Sequence, residues 1–301
     1  MREWSPFRAY GGKRPNAFCL ADLASACLLL AGCAWFYFKA RNLPAYSWNW
    51  DICLDFIYLR SRDGSPQPGL LIKGLFTTLR VGFWTFFLAL VTGGIAGLAA
   101  ARKSFWGTVP YFAVVNLLRN TPPIILLFCV YFMAGNLLPV TALEDTIREM
   151  PPIFQNCFTI LFAQPGQLDR MISAVLALGL YQAAYVAEIF RSGLNSVPRE
   201  QMEAGLALGF NKFATLWLII FPQALRLAIP ALTGQCLTAF KESSLASLIS
   251  LPDLTFQSLE IMATSGMTFE VWISAGILYL LLGVICSFLG RILERRYSKF
   301  I

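Results

Sequence analysis

The chain has 301 residues, of which 57% are apolar and 14% charged, and its formal net charge is +7. Soluble domains contain roughly 45–50% apolar and about 25% charged residues, so the composition excludes an ordinary soluble protein. The sequence has no His, which excludes His-based catalytic triads and His-ligated metal sites. With eight Cys but no close pair at metal-ligand spacing, we expect no metal site.

Apolar residues are concentrated in blocks of about 20, the length that crosses a hydrocarbon core. The blocks lack the alternation of barrel strands, so they predict helices. The predicted fold class is an all-α integral membrane protein with about six transmembrane helices. In chain order these are 17–38, 75–101, 109–134, 172–190, 216–240 and 271–289. Pro122-Pro123 should break the third helix, and Pro222, Arg226 and Pro230 should break the fifth.

Basic loops alternate with less basic loops along the chain. The basic loops hold 13 of the 24 Lys and Arg residues, at 1–15, 102–106, 191–216 and 291–301. The other loops hold six, at 39–69, 135–170 and 242–269. The positive-inside rule therefore predicts that both termini lie in the cytoplasm. The same distribution gives nucleic-acid binding no support.

Three regions follow from this topology. Residues 1–69 form a cytoplasmic N-terminus, the first transmembrane helix and an outside linker. Residues 70–291 form the transmembrane core, and 292–301 form a basic cytoplasmic tail. We expect the outside stretch 137–170 to be irregular because it contains Pro139, Pro151, Pro152 and Pro165. Cys53 and Cys157 both map outside, where a disulfide between them is compatible with the compartment.

The cytoplasmic loop 191–215 carries the most specific pattern. Pro198 suits the first turn of a short helix, and Gly209 is placed to end that helix in the left-handed conformation. Its residues alone are also compatible with a surface amphipathic helix that simply links two spans.

A motif in this loop resembles a known family. Glu203-Ala204-Gly205, three residues, Gly209, nine residues and then Ile219-Ile220-Phe221-Pro222 resembles the EAA-x3-G-x9-I-x-L-P motif of ABC importer permeases. Two positions depart from it, Gly205 for the third Ala and Phe221 for Leu. The resemblance implies that the loop forms a coupling helix, with Glu203, Ala204, Gly205 and Gly209, that docks on a separate ATPase subunit.

Further motifs in the same order resemble the polar amino-acid branch of these permeases. They are Leu75–Leu79, Leu118–Pro122, Tyr185–Gly193, Phe221–Pro230 and Lys241–Leu245. The resemblance covers about residues 70–290 and implies the type I ABC importer permease fold in the bacterial inner membrane. The implied function is the permease subunit of an ATP-driven, binding-protein-dependent amino-acid importer.

The resemblance also implies partners. They are two ATP-binding cassette ATPase subunits, a second permease subunit that is identical or similar, and an extracytoplasmic solute-binding protein, with lipid around the apolar faces. The sequence has no G-x-x-x-x-G-K-[ST] run, so the chain does not cradle ATP phosphates in that way. We therefore expect no catalytic residue and no cofactor in this chain.

Charged residues within spans usually face a bundle interior or a water-filled path. On that ground Arg119, Glu188, Lys241 and Glu242 are candidate substrate-path residues, together with Thr121 at the Pro break. Each also has a structural alternative: Arg119 and Glu188 could form a static ion pair, and Lys241 and Glu242 could pair at the outer interface.

Two rival functions differ from an ABC permease. An ion-coupled secondary transporter of small polar solutes would show two related halves with corresponding broken helices, and the sequence shows no such halves. A membrane-embedded enzyme would need reactive groups at catalytic spacing, and the sequence offers no cluster of that kind.

Overall fold

The computed structural model describes residues 27–28, 30–32, 34–35, 38–39, 46, 48–60, 66–100, 105–137 and 139–298. The chain divides into two units, Met1–Trp48 and Asn49–Ile301. In the first unit the described residues between 27 and 39 are helical. All but Lys39 belong to the predicted first span, 17–38, of which residues 17–26, 29, 33, 36 and 37 lie outside the described part.

The second unit begins with a short segment that leads into the core. Helix α1 spans Trp50–Ile57, strand β1 spans Tyr58–Arg60 and strand β2 spans Pro66–Pro68. The strands pair antiparallel, with Tyr58 opposite Pro68. Part of the predicted linker is therefore an ordered strand.

The remaining elements are helical. They are α2 (Leu70–Ala100), α3 (Phe105–Asn120), α4 (Pro123–Leu137), α5 (Val140–Glu149), α6 (Pro152–Leu161), α7 (Leu168–Asn195), α8 (Arg199–Ala207), α9 (Lys212–Thr215), a π-helical turn (Leu216–Ile220), α10 (Phe221–Glu242), a 3-10 segment (Ser243–Ile249), α11 (Leu254–Ser265) and α12 (Thr268–Ser298). The described residues thus confirm the all-α fold class.

Within the described residues, four helical segments are long and apolar enough to cross a membrane: Leu70–Ala100, Leu168–Asn195, Lys212–Ile249 and Thr268–Tyr297. A fifth candidate is the pair Tyr111–Asn120 and Pro123–Met133, bent by 105°. The bend lies at Pro122-Pro123, as predicted, because Pro lacks the N–H that would continue the helix. The described residues do not establish the predicted number of six.

Helix α7 is the centre of the second unit, and α2 lies closest to it. A Cβ added at Gly93 would come within 2.5 Å of the Ala183 carbonyl oxygen, and one added at Gly97 within 2.5 Å of the Ala187 oxygen. Small residues spaced four apart let two backbones approach in this way. Helices α3, α4 and α10 also pack on α7, and α12 reaches the bundle mainly through α10 and α11.

The fifth predicted span is not broken, contrary to the sequence prediction. Helix α10 runs uninterrupted from Phe221 to Glu242 with Pro230 inside it. Pro222 closely follows the π-helical turn Leu216–Ile220, so the widened turn lies where its missing N–H would interrupt the α-helical hydrogen bonds. The acceptor that Pro230 leaves without its N–H is the Arg226 carbonyl. The Thr233 hydroxyl, one turn further on, lies 2.8 Å from the Pro230 carbonyl and 2.7 Å from Glu294 Oε1 and shares its one proton between them.

The stretch 137–170, which is predicted to lie outside, is more ordered than predicted. It contains α5 and α6, and Pro139 and Pro151 immediately precede them, so these prolines initiate helices rather than prevent them. The indole N–H of Trp84 donates to the Leu161 carbonyl at 2.9 Å, which fastens α6 to α2. Cys157 is a free thiol, so the disulfide to Cys53 is not formed.

Candidate functional site

A cavity of about 610 Å³ opens between α3, α7 and α10. This volume lies in the range of roughly 300–1,000 Å³ that small-molecule sites occupy. Its wall along α10 extends from Leu227 to Thr238, which is about 16 Å at 1.5 Å per residue. The polar lining residues are Arg119, Tyr185, Glu188, Ser192, Ser196, Gln235 and Thr238.

Arg119 enters the cavity from the last turn of α3. The helix ends one residue later because Pro122 follows Thr121. Arg119 therefore lies beside the bend between α3 and α4. Its guanidinium carbon lies 5.1 Å from the centre of the Tyr185 ring on α7, a cation–π distance. The α3 carboxyl end also favours a cation at this position.

Glu188 faces the same cavity but already has two partners. Arg191 donates to both carboxylate oxygens, from Nε to Oε2 at 2.8 Å and from its terminal nitrogen to Oε1. The hydroxyl of Tyr111 donates to Oε2 at 3.3 Å. The ion-pair partner of Glu188 is Arg191, so Arg119 and Glu188 do not form the static pair considered above.

A chain of hydrogen bonds crosses the interface between α7 and α10. Gln182 is fully buried, and its Nε2 donates to Glu242 Oε2 at 2.5 Å. Gln235 Nε2 donates in turn to Gln182 Oε1. Because Gln235 lines the cavity, Glu242 is linked to the cavity wall without lining it.

The other two candidates lie elsewhere. The Thr121 hydroxyl donates to the Leu117 carbonyl of its own helix at 2.8 Å, and Thr121 does not line the cavity. Lys241 is exposed and is also absent from the lining. The structure therefore brings together Arg119 and Glu188, with Glu242 attached through two glutamines.

Sequence reasoning missed Tyr185, Gln182 and Gln235 as site residues. A usable signal was present on α7, where Gln182, Tyr185, Glu188 and Ser192 recur at intervals of three or four. That spacing puts them on one helical face. A polar stripe on an otherwise apolar span points to an aqueous path.

The coupling loop forms the short helix α8, preceded by Pro198. Gly209 has φ +87°, so the predicted left-handed end of this helix is confirmed. The structure also explains why Gly205 stands where the motif has Ala. A Cβ at that position would lie 2.5 Å from Thr215 Cγ2 and 3.0 Å from Ile219 Cδ1, so α8 packs more closely on the following turn than Ala would allow.

An apolar cluster connects this loop to both walls of the cavity. It contains Leu194 at the end of α7, Val197 in the loop and Ala224 on α10. Met202 on α8 packs against it. The cluster therefore puts α8 in packing contact with residues of α7 and α10.

Comparison with known proteins agrees with this architecture. The model of the family described as "Binding-protein-dependent transport system inner membrane component" matches residues 89–299. The glutamate/aspartate import permease protein GltK of Escherichia coli O6:H1 is 31% identical over 233 residues, which cover 77% of this chain and 95% of GltK. The glutamine transport system permease protein GlnP of Escherichia coli strain K12 is 30% identical over 235 residues, covering 77% of this chain and 94% of GlnP.

A solved structure is similar as well. The crystal structure of an amino acid ABC transporter with histidines superimposes with a TM-score of 0.59 at 26% identity, over 75% of this chain and 94% of that chain. The chain belongs to the family of inner-membrane components of binding-protein-dependent transport systems. It is a permease subunit of an ABC importer, which confirms the predicted function, and the ion-coupled alternative is not supported.

Proposed function

We propose that this permease carries polar amino acids through the cavity between α3, α7 and α10. The relatives GltK and GlnP import glutamate/aspartate and glutamine, which supports a polar amino acid as substrate. The observation that carries the proposal is that Arg119 and Glu188 line one cavity. That cavity reaches Ser196, next to the end of α7 that leads into the coupling loop.

Arg119 is the proposed partner of the substrate carboxylate. An amino acid is a zwitterion, so its carboxylate needs a cation inside the membrane. Among the described residues the guanidinium of Arg119 takes part in no ion pair, and its carbon lies 5.1 Å from the centre of the Tyr185 ring. A planar guanidinium can bind a carboxylate through two hydrogen bonds.

Glu188 and Tyr185 are the proposed partners of the substrate ammonium. The Glu188 side chain is 29% exposed, so its carboxylate can accept from the cavity while Arg191 and Tyr111 hold its position. The aromatic face of Tyr185 also attracts a cation. Arg191 and Tyr111 then act by fixing the direction of the carboxylate rather than by touching substrate.

ATP hydrolysis is assigned to separate subunits. In this proposal α8, with Glu203, Ala204, Gly205 and Gly209, docks on one of two ATPase subunits. A second permease subunit, identical or similar, completes the path, and an extracytoplasmic binding protein delivers the amino acid. Both termini lie in the cytoplasm, in keeping with the alternation of basic loops.

The transport cycle is alternating access. Closure of the ATPase dimer on ATP draws the two α8 helices together. Because α8 packs on the cluster that joins α7 and α10, the walls of the cavity move with it and the path opens outward. Hydrolysis releases the ATPase dimer, and the cavity returns to the inward side with its substrate.

The substitution Gly209→Val tests the coupling role with a matched control. Gly209 has φ +87° and Gly166 has φ +88°, and a Cβ at either meets nothing within 4 Å. Valine therefore introduces the same backbone strain, of order 1–3 kcal/mol, at both sites and no clash at either. Gly166 lies between α6 and α7, far along the chain from α8.

We expect Gly209→Val to insert and assemble normally but to hydrolyse ATP without matching uptake. Gly166→Val should keep the wild-type ratio of uptake to hydrolysis. Both activities are measured in proteoliposomes that contain the partner subunits and the binding protein. A wild-type ratio in Gly209→Val, or an equal loss in both variants, would remove the coupling assignment.

A further inference from the structure

The hydrogen-bond chain Glu242–Gln182–Gln235 has a direction that its end groups impose. A carboxylate offers only acceptor oxygens, whereas a carboxamide has one acceptor end and one donor end. Gln182 is fully buried between α7 and α10, where an unpaired polar group would be costly. The Glu242 carboxylate, at one end of this hydrogen-bond chain, therefore fixes the orientation of both carboxamides.

The sequence of donors and acceptors follows from Glu242. Its carboxylate accepts from Gln182 Nε2, so Gln182 must turn its Oε1 towards α10. That oxygen accepts from Gln235 Nε2. If Gln182 were reversed, its carbonyl oxygen would face the carboxylate and two acceptors would meet without a proton between them.

The other end of this hydrogen-bond chain is Gln235, which lines the cavity. With one N–H of Gln235 Nε2 bound to Gln182, Gln235 keeps its Oε1 and its second N–H for a ligand in the cavity that it lines. Reversing the Gln235 amide would break its bond to Gln182. The wall at Gln235 is thus a carboxamide of fixed orientation, with one acceptor oxygen and one remaining N–H donor.

We infer that Gln235 reads the substrate side chain and that this site takes amino acids with a neutral carboxamide side chain. In this assignment Gln235 is a specificity-determining residue, and Gln182 and Glu242 are positioning residues that hold its carbonyl oxygen towards the substrate. The inference rests on the proposed function, because it requires the amino acid to occupy this cavity.

Two other side-chain classes fit less well. A side-chain carboxylate can only accept from the remaining N–H of Gln235 and leaves Oε1 without a donor, whereas a carboxamide can accept from that N–H and also donate to Oε1. A second cation on the substrate would need its own counter-ion, and Glu188, the carboxylate of the lining, is already assigned to the substrate ammonium in the proposed function. The remaining polar groups around the cavity, Ser192, Ser196 and Thr238, are neutral. A carboxamide N–H donates to Oε1 without adding charge.

The test measures the preference between L-glutamine and L-glutamate at the permease itself. Competition for radiolabelled L-glutamine is measured on the permease–ATPase complex in nanodiscs without binding protein, so that the binding protein does not filter the ligands. Glu242→Gln is the main variant, because an amide at 242 can donate or accept and no longer fixes the chain. Glu294→Gln is the matched control, since Glu294 also accepts from α10, from the Thr233 hydroxyl at 2.7 Å.

We expect the wild-type complex and Glu294→Gln to prefer L-glutamine over L-glutamate by at least about tenfold, as sites built around a specific hydrogen bond do. In Glu242→Gln this preference should fall to about twofold, while total amino-acid binding persists. As a second variant, Gln235→Leu should weaken L-glutamine about tenfold and L-glutamate little.

The outcomes separate this inference from the proposed function. If the complex binds amino acids but Glu242→Gln keeps the wild-type ratio, or if L-arginine or L-glutamate binds more tightly than L-glutamine, the inference is wrong and the transport proposal stands. If the wild-type complex binds none of the three and supports no ATP-driven uptake, both are wrong.

Discussion

Helices α7 and α12 are both long enough to span a membrane, but α7 lies at the centre of the second unit and α12 at its edge. Helix α7 has a mean hydropathy of 1.5 over its most apolar window and α12 has 2.2. In the first window 61% of the residues are buried inside the protein, and in the second 17% are. The more apolar helix is thus the one that lies at the edge.

The reason is that lipid is as good a surrounding for Leu or Ile as another helix is. Helix α12 presents residues of that kind to the outside, including Leu280, Val284 and Phe288. Helix α7 instead buries Ala174, Ala177, Gly179, Ala183 and Ala187, where close packing provides the stabilisation. Small and polar residues, more than hydropathy, mark the centre of this protein.

The largest expected effect is the loss of assembled complex when Gly97, which packs against α7, is replaced by a large residue. In Gly97→Leu the new side chain meets the Ala187 oxygen at 2.5 Å and Phe190 Cβ at 2.9 Å, so α2 and α7 must separate. We expect the yield of monodisperse complex to fall at least about tenfold, as for severe core overpacking. The matched substitution on α12 is Gly276→Leu, where a Cβ meets nothing within 4 Å; it should leave the yield near wild type, and equal losses in both would contradict the comparison.

A second contrast concerns charge. Arg119 lines the cavity, whereas Arg291 is exposed on α12. We expect Arg119→Gln to reduce ATP-driven uptake about 10- to 100-fold through loss of the carboxylate contact, worth about 1.5–3 kcal/mol. Arg119→Lys should recover only part, because Lys binds a carboxylate as a point charge. Uptake in Arg291→Gln should stay within about twofold of wild type, and a similar loss in both variants would argue against a substrate contact.

The third prediction concerns a substitution that restores the family motif and is expected to impair the coupling of uptake to ATP hydrolysis. Gly205→Ala completes Glu-Ala-Ala, but its Cβ would press on the buried Thr215 side chain at 2.5 Å. We expect uptake per ATP hydrolysed to fall roughly three- to tenfold, equivalent to about 0.7–1.4 kcal/mol of altered docking. Higher coupling in Gly205→Ala would mean that the close packing of α8 on Thr215 is not needed for coupling.

The smallest expected effect is on thermal unfolding and concerns Asp253, which lies at the N-terminus of α11 between α2 and α12. Asp253 is buried and its Oδ1 accepts from the Phe256 N–H at 2.8 Å. Burial raises the pKa of this carboxyl to about 7, although the backbone N–H groups oppose the shift. Since an unfolded Asp has a pKa of about 3.9, the folded state binds the extra proton, and the free energy of unfolding falls as pH rises from about 4 to about 7.

Asp253→Asn keeps the helix cap and removes this titration. We expect the variant to match wild type in thermal unfolding near pH 5 and to melt a few degrees higher near pH 8. The measurement is the difference in melting temperature at the two pH values. A difference that does not grow with pH would show that Asp253 does not titrate between them.

The sequence predicts what local chemistry determines. The Pro122-Pro123 bend and the left-handed Gly209 follow from the backbone of single residues, and the motif around Glu203 identifies the family. The continuity of α10 through Pro230 was not predictable, because it depends on how neighbouring groups satisfy the freed backbone. Nor was the Glu242–Gln182–Gln235 chain, which joins residues up to 60 positions apart and arises only when α7 and α10 meet.

The π-helical turn Leu216–Ile220 has a consequence for hybrid permeases. Such a turn accommodates one residue more than an α-turn while the helix on either side keeps its phase. A graft of the loop from a relative that is one residue shorter there would be absorbed as ordinary α-helix. The same deletion between Phe221 and Gly234 of α10 would instead rotate the rest of the helix by about 100° and turn Gln235 away from Gln182.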